Sequence, residues 1–223
     1  SAEPRLLAWI MARPAFERWL AGDATGAGRE IAAIERALGT RRPREREELS
    51  TSIAFSYLAL GQVRRAEQAL AATPRTSRGL SLALVALAIG DGELAKERLG
   101  RLSPESRRRP ALYAYVGLEP EAEDALTRHP DREHAEGMAA VTRGFLAARR
   151  SELRRAVARL RDGVTLLRAT GEPEYFLAAE ELARLLALEG RSAAAVRVLE
   201  EASAERHRAY AGARWAGAFW LRV

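Results

Sequence analysis

Cysteine does not occur in these 223 residues, so disulfides and thiolate metal sites have no place in this chain. Asparagine is also absent, and Lys96 is the single lysine. Aromatic residues are few, at 6%, and the tryptophans lie near the two ends, at Trp9, Trp19, Trp215 and Trp220. No apolar run approaches the roughly 18 residues a membrane span needs. Leu6 to Met11 is short and lacks a basic leader, so it does not read as a secretory signal. The histidines His129, His134 and His207 do not form a metal pattern. The first two are five apart, which is wrong for one helix face, and no His-Glu-x-x-His motif exists.

Charge is present in both signs, with a net of +6. Acids are interspersed with arginines, as at Glu45, Glu47 and Glu48, or Glu200 and Glu201. That mixture describes a solvated helical surface laced with i,i+4 pairs. The arginine bias and missing asparagine point to a GC-rich genome.

What the chain has in abundance is one repeated spacing. A turn residue is followed five positions later by Ala and nine positions later by Leu or Ile. The copies are Gly22/Ala27/Ile31, Gly61/Ala66/Leu70, Gly90/Ala95/Leu99, Gly117/Ala122/Leu126, Ser151/Ala156/Leu160 and Gly190/Ala195/Leu199. Seven residues before each turn stands Ala15, Ala54, Ala83, Pro110, Gly144 or Ala183. A helical hairpin explains this pattern: the small residue permits close approach, and Ala and Leu pack back from the returning helix. The periodicity predicts helices over 5–20, 24–38, 45–60, 63–72, 78–89, 93–102, 110–116, 119–128, 132–148, 152–169, 173–188, 192–208 and 213–223. Asp23 and Ser192 are expected caps, and Pro173 suits a first helical turn. Ser103, Pro104 and Pro110 predict an irregularity around 103–117.

The order Ala54, Tyr57, Gly61, Ala66, Leu70, Pro74 resembles the tetratricopeptide repeat. Gly144/Ser151/Ala156/Leu160 and Ala83/Gly90/Ala95/Leu99 match in part. The resemblance implies an all-α, right-handed superhelical solenoid of about six antiparallel helix hairpins, one domain over 1–223, with an unpaired C-terminal helix. The stretch from Glu172 to Glu180 and on through Trp220 also looks like the repeat-containing tails of large bacterial proteins, among them eukaryotic-like Ser/Thr kinases and transcriptional regulators. No Gly-rich loop on a strand and no His-Arg-Asp catalytic loop occurs here.

In the tetratricopeptide family the first helix of each hairpin lines a concave groove. That register places Thr51, Phe55 and Leu58; Leu80, Leu84 and Leu87; Arg107, Ala111 and Tyr115; Val141, Phe145 and Arg149; and Glu180, Arg184 and Leu188 toward a partner. Leu84 and Leu87 are expected to be core. Trp215, Phe219 and Trp220 form a candidate interface for self-association, or else fold back as core.

No catalytic constellation emerges. Gly22 to Gly28 lacks the Gly-Lys-Ser/Thr ending of a phosphate loop, Ser50-Thr51-Ser52 has no neighbouring base, and Glu180-Glu181 are adjacent on one helix and do not converge. The expectation is a cytoplasmic, cofactor-free, non-enzymatic module that binds a protein or peptide as scaffold or regulatory arm. The alternative is nucleic-acid binding through Arg41, Arg42, Arg44 and Arg46; Arg107, Arg108 and Arg109; and Arg149, Arg150, Arg154 and Arg155.

Overall fold

A computed structural model describes residues 14–15, 17–18, 21–38, 50, 53–54, 57, 62–71, 75–88, 90–103, 109–128, 135–168, 170 and 172–211. Among these, ten helices occur and no strand. We label them α1 (Ala24–Leu38), α2 (Val63–Ala71), α3 (Arg75–Ala88), α4 (Gly92–Gly100), α5 (Pro110–Val116), α6 (Glu119–Arg128), α7 (Ala135–Arg149), α8 (Leu153–Leu167), α9 (Pro173–Leu188) and α10 (Ser192–Ala211). The expected helices 24–38, 110–116, 119–128 and 173–188 coincide with α1, α5, α6 and α9. Those expected over 5–20, 45–60 and 213–223 lie wholly or largely outside the described residues.

The repeated spacing has a common backbone cause. Gly22, Gly90, Gly117 and Gly190 have φ of +76° to +85°, and Ser151 has φ +59°. These are the turn positions named above, Gly61 lying outside the described residues. In all six copies the residue after the turn donates its N–H to a carbonyl five positions back. The pairs are Asp23→Arg18, Gln62→Tyr57, Asp91→Ala86, Leu118→Tyr113, Glu152→Ala147 and Arg191→Leu186, at 2.8–2.9 Å. This is the long bond of a helix-ending motif built on a left-handed residue. The same six residues then accept, at 2.9–3.1 Å, from Ala27, Ala66, Ala95, Ala122, Ala156 and Ala195. Each of those alanines closes the first turn of the returning helix and is buried. The sequence pattern therefore records a reversal closed by its own backbone. Asp23 and Asp91 add side-chain caps, accepting from Gly26 and Leu94 at 2.7 and 2.9 Å. The Gly26 N–H, helped by Arg18, holds the Asp23 carboxyl below its ordinary range. Ser192, an expected cap, is instead the first residue of α10, and the preceding Arg191 carbonyl takes the capping bond.

The chain divides into two compact units, Ser1–Leu99 and Gly100–Val223. In the first, Ile31, Ile34, Ile53, Tyr57, Leu70 and Val85 join a buried cluster with Ala15, Ala54, Ala66 and Ala69. The Tyr57 hydroxyl donates to Glu35 Oε2 at 2.6 Å. Burial, with the Glu35 carboxylate second, pushes that hydroxyl up to about 12. Arg98 ties α4 back to α3 and α2 through the Leu82 carbonyl and Glu67, both at 2.7 Å.

In the second unit the helices alternate as first and second members of hairpins: α5–α6, α7–α8 and α9–α10. Each first helix packs on its own partner, and α5, α7 and α9 pack in succession, while α8 also packs on α9. Such consecutive packing is compatible with a helical repeat array. Pro110 starts α5, which is seven residues long; the irregularity expected around 103–117 falls partly on 104–108, outside the described residues. The α7–α8 pair crosses through glycines. A Cβ at Gly144 would lie 2.7 Å from Leu160 Cγ, and one at Gly163 would lie 2.4 Å from Val141 Cγ2. Gly144, the small residue before the Ser151 turn, thus marks a real close approach.

Candidate protein-interaction face

The first helices of unit 2 bring Tyr115, Phe145, Arg149, Glu180 and Arg184 to one region. Tyr115 on α5 meets Phe145 on α7 edge to face, with centroids 5.2 Å apart. Phe145 is buried and Tyr115 half-buried. Phe145 is therefore a core residue lying beneath Tyr115, and Val141 and Ala111 are likewise buried. Burial first, then Glu180 and Glu181 on α9, raises the Tyr115 hydroxyl above its ordinary value. Arg149 donates from Nε to the Ala114 carbonyl at 3.0 Å and from Nη2 to the Tyr115 carbonyl. It thereby takes the Tyr115 carbonyl at the end of α5 and adds a second bond to the Ala114 carbonyl, which already accepts the Gly117 N–H at 3.2 Å. Arg184 grips Glu181 through both Nε and Nη2, at 2.8 and 2.6 Å, and that carboxylate raises its guanidinium further.

The face exposes one half-buried aromatic rim, a forked Arg184–Glu181 pair and the exposed Glu180. Such a surface offers hydrogen bonds and stacking. Among the described residues no group of His, Asp or Glu could hold a metal ion, and no helix is long and apolar enough to cross a membrane. In unit 1, Leu84 is buried and Leu80 and Leu87 are half-buried. Ser50 is buried with its Oγ unpartnered among the described residues. Thr51, Phe55, Leu58, Arg107, Trp215, Phe219 and Trp220 lie outside the described residues.

Among the described residues, Arg109, Arg149, Arg150 and Arg155 of the arginine clusters are engaged within the fold. Arg109 Nη1 donates to Glu172 at 2.8 Å and to both oxygens of Glu174, at 2.7 and 2.8 Å. Glu174 is fully buried, and it is the main cause raising the Arg109 guanidinium above its ordinary value. Arg150 pairs with Glu119 and Glu123, and Arg155 with Glu152. Arg41, Arg42, Arg44, Arg46 and Arg108 lie outside the described residues. The Arg109–Glu174 pair joins α5 to α9 across 65 positions, a separation at which no local pattern could announce it.

No protein-family model matches the chain, and neither a curated protein nor a solved structure matches it.

Proposed function

We propose that this chain is a tetratricopeptide-like repeat module that binds a protein or peptide partner, acting as scaffold or regulatory arm of a larger cytoplasmic bacterial protein. The observation that carries this reading is the sixfold reversal with its common hydrogen-bond scheme, because stacked hairpins build extended binding faces. The right-handed superhelical order of about six hairpins belongs to the same reading. The first-helix face supplies the contacts: Tyr115 offers its rim, and Glu180 and Arg184 offer charge. The partner fits an extended or helical segment with an aromatic anchor.

A pull-down from a GC-rich bacterial lysate, washed at low and then high salt with and without nuclease, tests this reading. A discrete protein retained through high salt and weakened by Tyr115→Ala with Arg184→Glu is the expected result. Nucleic acid released steeply by salt would overturn it and install the arginine alternative.

A second reading concerns self-association. Leu188, Val196 and Leu199 are exposed on the last described hairpin, which favours an apolar contact between copies that includes Trp215, Phe219 and Trp220.

A further inference from the structure

The second-helix side of unit 2 carries an open trough of about 760 Å3. Its floor is α7, one wall is α8, and the other is Leu126 of α6 with Pro110. Glycine contacts fix the register of floor against wall. Gly144 abuts Leu160, Gly163 abuts Val141, and Gly137 abuts Leu166 and Leu167. Arg143 and Arg159, each one residue before a contacting pair, therefore stand together at one end. Glu136 and Leu166 share the other. Two turns of helix, about 10 Å, separate the ends.

The two ends differ in chemistry. Arg143 is exposed and has no ion-pair partner among the described residues. Arg159 reaches an acid only at 3.8 Å, on Asp162. Arg109, Arg150 and Arg184 elsewhere in the unit lie 2.6–2.8 Å from their carboxylates. The lining carries Arg143, Arg159 and Arg161 against Glu136 and Asp162, and the end that holds Arg143 and Arg159 favours an anion. Toward the other end, beside Glu136, stand apolar groups: Met138 and Ala139 on the floor, Leu126 opposite, and Leu166 at the mouth with 49% of its surface exposed. An apolar side chain left that open gains by being covered.

We propose that this trough binds an acidic segment of a protein partner, its carboxylates on Arg143 and Arg159 and an apolar side chain between Leu126 and Leu166. The proposal rests on the interaction reading above and assigns the partner's chemistry and a docking place apart from the first-helix face. Open sides admit a continuous peptide chain, which an enclosed cavity for a small molecule would exclude.

The test is fluorescence anisotropy on the full chain with a fluorescein-labelled peptide of mixed leucine and glutamate. Its lysine-for-glutamate counterpart and dodecanoate serve as competitors. The glutamate peptide should bind, the lysine peptide should not compete, and Arg143→Glu with Arg159→Glu should weaken binding by about tenfold or more. Ala139→Trp, which fills the floor without touching charge, should do the same, with helicity checked by circular dichroism. Equal binding of both peptides, no binding of either, unchanged affinity in the folded variants, or stronger binding of dodecanoate than of the peptide would each overturn the proposal. A lysate partner held equally by the wild type and the Arg143/Arg159 variant would sink the trough alone and leave the interaction reading intact.

Discussion

The hairpins α7–α8 and α9–α10 carry one pattern at an offset of 39 residues, yet they bury it very differently. Val157 and Leu160 on α8 are 5% and 0% exposed, while their counterparts Val196 and Leu199 on α10 are 52% and 39% exposed. The residue types match, so side-chain chemistry is not the cause. α9 packs on α8, and among the described residues no later helix stands in that relation to α10. The same offset pairs Arg149, which closes the end of α5, with Leu188, which is exposed. A hairpin in this unit is therefore half a core. Its own fold supplies the reversal, and its successor supplies the cover.

Removing the tie that holds the cover should have the largest effect. Arg109→Ala leaves Glu174 buried without its cation, so we expect a loss of about 3–5 kcal/mol in unit 2. Hydrogen exchange should then rise along α8 until it resembles α10; unchanged protection would show that α9 is held without the ion pair. Next comes the matched pair itself. Leu160→Ala should cost about 2–5 kcal/mol, whereas Leu199→Ala should cost less than about 1 kcal/mol. Equal costs in urea denaturation would mean that α10 is covered after all. Exchanging the turn residues gives a smaller effect. Gly190→Ser should destabilise by about 1 kcal/mol because only glycine takes positive φ freely. Ser151→Gly should be neutral or stabilising by a similar amount, and both are read from thermal midpoints. The smallest effect on stability belongs to Trp215→Ser with Phe219→Ser and Trp220→Ser. If copies associate through this end, the variant runs as a monomer in light scattering with helicity preserved; an unchanged oligomeric mass would remove the self-association reading.

The elements nearest the turns were the most legible in the sequence. Helices α1, α5, α6 and α9 follow from apolar period, caps and prolines because each signal acts within a few residues of where it is written. The first-helix register brought Tyr115, Arg149 and Arg184 into one region, but it could not show that Phe145 lies under Tyr115 or that Arg149 is spent on the end of α5. Both facts depend on which side chain sits over which, a matter of packing between helices. The Arg109–Glu174 pair and the juxtaposition of Arg143 with Arg159 were illegible for the same reason. They join residues whose separation in the chain exceeds any helical period. Arg109 illustrates the risk of reading charge from the sequence alone. In a run of three arginines it suggests a surface for phosphate, and in the fold it faces a buried carboxylate.

The self-closed reversal bears on how such a chain can change length. Successive turns are 39, 29, 27, 34 and 39 residues apart, yet the bond pattern around each is the same. The differences in spacing therefore lie away from the turns, in the lengths of the helices and of the segments that join one hairpin to the next. The array keeps its folding rule in the corner and its freedom in the joint. A hairpin could be lengthened, shortened or copied without rewriting the instruction that folds its neighbour.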